Sequence, residues 1–155
     1  MAAASSRGIV VFLPLAISLA TTFATIIIHG FFLMAIVHYV RHQRRLGRAG
    51  VHFWRDLVIV AVTTLLALLA HLASMTIWAM VFELCGEFSY PATAFYHSAM
   101  NYTSLGYGDI VMSRSWRLLG PLETVDGMLM FGVSTATIFA VIEMLVRTKF
   151  RDEQL

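Results

Sequence analysis

The run Thr103-Ser104-Leu105-Gly106-Tyr107-Gly108-Asp109 carries the most specific chemistry in the chain, and that chemistry belongs to its backbone. A potassium ion entering a membrane must shed its water, and other oxygens must replace that shell at similar distance and strength. Backbone with successive carbonyls turned to one side can do this when four copies surround the ion. Turning them the same way requires alternating backbone signs, and glycine reaches positive φ at little steric cost. Gly106 and Gly108 therefore flank Tyr107, whose side chain is expected to point away from the ion and pack behind the strand. No enzyme motif accompanies this run, so no enzymatic activity is expected.

Such a loop needs a scaffold. Just before it, Ala92 to Met100 reads as a short helix opened by Pro91, a residue suited to a first helical turn. It cannot cross a bilayer alone, and an apolar piece of about 10 to 14 residues is typical of a re-entrant segment. Its C-terminal end, partly negative, would face the membrane interior and favour a cation there. Three longer segments, at about Ile9–Val40, Leu57–Phe82 and Leu118–Val146, exceed the roughly 20 residues that span a bilayer as a helix. The first follows Arg7 and could be taken for a secretory signal, but its apolar run continues through Phe31-Phe32-Leu33, so a retained helix is expected. Pro14 falls in its first turns, and Gly30 is a candidate bend.

Composition agrees with a membrane solvent. Of 155 residues, 59% are hydrophobic and 13% charged, about half the charged share of a soluble domain. The net charge of +2 is too small to suggest a nucleic-acid partner. Arg41, Arg44, Arg45, Arg48 and Arg55 fill the first link with no acid before Asp56, which places that link in the cytoplasm. The N-terminus is then outside and the C-terminus inside, at Arg147, Lys149 and Arg151. Arg41, Arg44, Arg45 and Arg48 could also bind anionic lipid. No helix carries an arginine at every third position, the pattern a voltage sensor needs.

From about Leu57 to Val146 the sequence resembles the pore module of the potassium channel superfamily: outer helix, pore helix, filter and inner helix. The Gly106-Tyr107-Gly108-Asp109 run between a short helix and a final membrane helix carries the resemblance. It implies an all-α transmembrane fold with three spanning helices, a re-entrant pore helix and an extended selectivity filter, assembled as a homotetramer. The divisions are then residues 1–56 (first helix and basic loop), 57–147 (pore module) and 148–155 (short cytoplasmic tail). Carried over by position, Ser104, Leu105, Gly106 and Tyr107 would hold K+, with Gly108 at the outer mouth and Thr103, Asp109 and Tyr96 in support. Tyr96 stands where many relatives carry a tryptophan bonded to the exit aspartate, and could bond Asp109 or simply pack. Met100 stands where some relatives have a buried glutamate, whose carboxyl contact it cannot make. Serine at 104 replaces the usual threonine and loses a stiffening methyl; leucine at 105 replaces a β-branched residue suited to a strand.

Glu123 and Asp126 in the third long segment are three apart and share a helix face. Glu123 is expected behind the pore helix. Asp126, beside Gly127, would concentrate cations if it faced the cavity, the placement slightly favoured, or be hydrogen bonded if it faced protein. Gly127 and Gly132 are candidate gate hinges or close-packing points. His29 and His71 could in principle hold a haem, and His38 and His42 a metal, but packing and headgroup contact explain them as well. Cys85 is the single cysteine, so no intrachain disulfide forms. No cofactor is expected beyond K+ as the permeant ion. A poorly selective monovalent cation channel and a non-conducting partner subunit are the alternatives. Brevity points to a bacterial inner membrane.

Overall fold

The computed structural model describes the backbone of residues 2–152 and the side chains of residues 11–150. Four helices follow in order: α1 (Ala2–Arg45), α2 (Phe53–Leu84), α3 (Pro91–Tyr102) and α4 (Leu119–Asp152). No strand occurs among the described residues. Val11–Arg45, Phe53–Leu84 and Leu119–Phe150 are each long and apolar enough to cross a membrane. The long helices overrun the apolar segments that announce them. Arginine is a good helix former, so α1 continues through the first basic residues, and α4 runs on past position 148 to Asp152.

What stops the helices is local. After α1 the Arg48 amide reaches back to the Gln43 carbonyl and the Gly47 amide to that of Arg44, with Gly47 left-handed at φ 62°. After α2 the same pair of bonds runs from Glu87 to Phe82 and from Gly86 to Glu83. This cap consumes carbonyls the helix end would otherwise leave bare. Along the helices, threonine hydroxyls donate to the carbonyl four residues back, as Thr63 does to Ile59 and Thr137 to Val133. In hydrocarbon no water would satisfy them.

The chain divides into two units, each described by itself. The first joins the residues up to Ile28 with His71–Met130. Its core is Met75, Trp78 and Phe82 of α2, Tyr102 of α3, and Leu119 and Met130. Trp78, Phe82, Tyr102 and Leu119 are fully buried. Since lipid tails are as apolar as these side chains, their close contact stabilises through dispersion rather than escape from water. The second unit joins His29–Ala70 with the residues from Phe131 onward. Ile36, Val40, Ala49, Ile59, Val141 and Leu145 form its core. In it, Gly50 (φ 79°) lies so close to α4 that an added Cβ would stand 2.8 Å from the Thr148 side chain. The Gly50 amide donates to Asp56 Oδ1 at 2.8 Å. Large apolar side chains such as Phe12, Leu19, Phe23 and Phe31 point outward, as lipid-facing residues do.

Candidate functional site

The short helix α3 begins at Pro91, where the missing amide costs nothing, and presents Ala94, His97, Ser98 and Tyr102 inward. It ends as α1 and α2 do. The Leu105 amide reaches the Met100 carbonyl at 2.9 Å, and the Ser104 amide reaches that of Asn101 at 2.9 Å. Here, however, the left-handed place belongs to a serine, Ser104, at φ 60°. Left-handed backbone costs a non-glycine residue about 1–2 kcal/mol. Gly106 and Gly108 follow at φ 56° and 73°, while Leu105 and Tyr107 between them are not left-handed. The positive sign thus recurs at every second residue, the alternation that turns successive carbonyls to one side. The Gly106 amide also points back to the Met100 carbonyl at 3.1 Å, so these donors face the helix and leave the other side to acceptors.

Residues 103–109 are all exposed in the single chain. Tyr107 is 69% exposed, so its expected packing behind the strand is not supplied by its own chain. Thr103 donates to the Ala99 carbonyl at 2.6 Å and seals the last turn of α3.

The far side of the loop is latched. Tyr96 donates its hydroxyl to Asp109 Oδ2 at 2.9 Å, the contact weighed from the sequence. That bond, with burial and the Asp109 charge behind it, raises the Tyr96 hydroxyl above its ordinary range and keeps it a donor. Tyr96→Phe is expected to leave assembly intact and make ion flux decay a few-fold faster under steady conditions. Wild-type decay would remove any role for the latch. A second latch was not legible: Glu87 accepts from the Ser113 amide at 2.7 Å and the Ser113 hydroxyl at 2.6 Å. An acid and a serine separated by 26 residues give no periodic signal. Between the latches His97 is buried among the rings of Phe82 and Phe88, with centroids at 5.5 and 5.0 Å. Burial pushes its imidazole below the usual histidine range, against a backbone bond to Ile110 and the charges of Asp109 and Glu87.

Behind α3 stand the two acids of α4, both buried. The Ser98 hydroxyl lies 2.5 Å from Glu123 Oε1 and 2.9 Å from the Met75 carbonyl, tying α3 to α2 and α4 together. Asp126 is 1% exposed. It accepts from Trp78 Nε1 at 2.8 Å and lies 2.9 and 3.1 Å from Thr25 Oγ1. The cavity-facing placement favoured for Asp126 is therefore corrected: the side chain faces protein, because only there are donors found for a carboxylate in apolar surroundings. Glu123 likewise faces no cavity. Gly127 is a close-packing point, since an added Cβ would stand 2.2 Å from the Tyr102 carbonyl oxygen. Gly132 has nothing within 4 Å of such an atom. His71, weighed as a haem ligand, shares a hydrogen bond with the Tyr102 hydroxyl through Nδ1 at 3.2 Å.

Three span-length helices, a short helix among them and a loop whose backbone alternates in sign define an integral membrane protein organised around residues 91–109. The chain belongs to the ion channel family, which matches residues 66–144, just over half its length. The match runs from within α2, through α3 and the loop, into α4. Comparison with curated proteins and with solved structures gives no significant match. The family's activity is the passage of ions rather than covalent chemistry.

Proposed function

We propose that four copies of this chain form a potassium-selective pore. The residues at 104–107 strip and replace the water of K+, and the ion moves down its electrochemical gradient. The observation that carries this reading is the left-handed backbone at Ser104, Gly106 and Gly108, every second position of one exposed loop. One such strand offers oxygens from one side only, so a symmetric ring is needed to surround the ion. Ser104, Leu105, Gly106 and Tyr107 supply the ion-facing oxygens, Gly108 forms the mouth, and the exposed Tyr107 ring packs against a neighbouring copy. No bound cofactor is required. The arginine-rich link lies in the cytoplasm and the N-terminus outside, by the positive-inside rule, and the membrane is a bacterial inner one.

The test is ion flux from purified protein in liposomes, with reversal potentials in mixed potassium and sodium. Potassium should be strongly preferred, and Gly106→Ser should be silent. Each of the four copies would then carry a second left-handed serine, adding about 1–2 kcal/mol of strain to what Ser104 already bears as the cap of α3. Equal permeation of both ions would replace this reading with a poorly selective cation channel. Absence of any flux from the wild type would leave a non-conducting subunit.

A further inference from the structure

We propose that the groove between α1 and α4 in the second unit is a binding site for an anionic phospholipid. One acyl chain lies along the groove and the phosphate sits at Arg41 and Arg44. The groove has a volume of about 550 Å³ and is bounded by Val37 and Val40 of α1 and by Ala136 and Ala140 of α4. Ala136 and Ala140 are one helical turn apart on the same face, and their small side chains leave the space open. Its walls are almost entirely apolar; Thr137, the polar residue along them, already spends its hydroxyl on the Val133 carbonyl.

Length and charge together select the occupant. The lining runs from Leu33 to Arg44 on α1. At 1.5 Å per residue that is about 16 Å, close to the roughly 15 Å depth of one hydrocarbon leaflet. Of that length the apolar stretch from Leu33 to Val40 covers about 10 Å, room for the headgroup-proximal part of one acyl tail. The groove turns cationic at Arg41 and Arg44, where a headgroup would lie. Neither arginine has an ion-pair partner among the described residues. The described acids of this unit are already engaged: Glu143 pairs with Arg147 at 2.6 Å, and Asp56 accepts from the Gly50 amide. A second copy laid over the groove would bring no uncommitted described carboxylate from this unit to the two guanidiniums. A phosphodiester headgroup supplies the missing charge, and arginine's fork suits phosphate oxygens.

The test is native mass spectrometry of the purified full-length protein equilibrated with mixed phosphatidylglycerol and phosphatidylcholine. Wild type should retain phosphatidylglycerol preferentially. Each arginine near an anionic headgroup contributes about a five-fold preference, so Arg41→Gln with Arg44→Gln should lower retention about twenty-five-fold. Both side chains are exposed, so folding should survive. Ala136→Trp, which fills the groove and leaves both arginines, should also release the lipid. Inorganic phosphate at the same concentration should not displace it, since phosphate lacks the tail. Equal retention of both lipids, retention unchanged in the tryptophan variant, or displacement by inorganic phosphate would each overturn the proposal. So would dissociation of the oligomer in the arginine variant with lipid retention per chain unchanged, which would mark the groove as a contact between copies.

Discussion

Gly127→Ala is expected to abolish ion flux and to lower the melting temperature of the detergent-solubilised protein by several degrees. The added Cβ would stand 2.2 Å from the Tyr102 carbonyl oxygen, 3.0 Å from its carbonyl carbon and 3.1 Å from Cγ of its ring. Two of those atoms are backbone and cannot rotate away. Tyr102 is itself fully buried, with its hydroxyl bonded to His71, so the residue as a whole has nowhere to go. Relief requires α3 and α4 to part, and Tyr102 lies two residues before Ser104, where the loop backbone first changes sign. Overpacking of this kind costs about 1–3 kcal/mol. The functional loss should be larger than that figure suggests, because an ångström of displacement falls on the loop itself. Gly132→Ala is the internal comparison: its Cβ would meet nothing within 4 Å, and stability should stay near wild type. Wild-type melting and flux in Gly127→Ala would show that the contact between α3 and α4 yields freely.

Asp126→Ala should destabilise the protein by about 1–3 kcal/mol, the cost of stranding one buried donor without an acceptor. Trp78 Nε1 loses its acceptor and, fully buried, cannot reach water, whereas the Thr25 hydroxyl keeps the Thr22 carbonyl at 2.7 Å. Thermal or denaturant unfolding measures the loss, and the emission of Trp78 should shift because its indole hydrogen bond is gone. Thr25→Val should cost less, because it deletes a donor and leaves the Trp78 bond intact. A double-mutant cycle between positions 25 and 126 should return a coupling of about 1 kcal/mol or more. Asp126→Asn separates this role from an electrostatic one. It keeps one acceptor oxygen, so block by internal polyvalent cations should be the same as in wild type. Relief of such block would return the carboxylate to the ion path.

Much of this architecture can be read from composition and spacing. Long apolar runs, charge-free in the first two, mark the three span-length helices, and Pro91 marks the start of α3 within one residue. The family resemblance offers the Tyr96–Asp109 contact as one of two readings and puts Glu123 behind the short helix, while its partner there, Ser98, comes only from the structure. What escapes is whatever depends on the facing of a helix rather than its existence. Glu123 and Asp126 share a side of α4 by periodicity, yet periodicity does not say what that side meets. Only packing reveals that Trp78 and Thr25 arrive there with donors. Ser104 escapes for a different reason: glycine advertises positive φ, whereas serine takes it only because the cap of α3 demands it. Gly127 and Gly132 look alike in sequence, and only their neighbours separate the filled position from the empty one.

The seat of Gly50 against Thr148 has a mechanical meaning. With a Cβ there standing 2.8 Å from the Thr148 side chain and 3.2 Å from the Lys149 amide nitrogen, no slack remains between the first link and the last turns of α4. The Gly50 amide is meanwhile fastened to Asp56, in the first turn of α2. Travel of the α4 terminus toward this link is passed as a push to the α2 entrance, and its withdrawal would have to peel Val141 and Leu145 from Ala49 and Ile59. The contact is a seated bearing that couples the two ends in either direction.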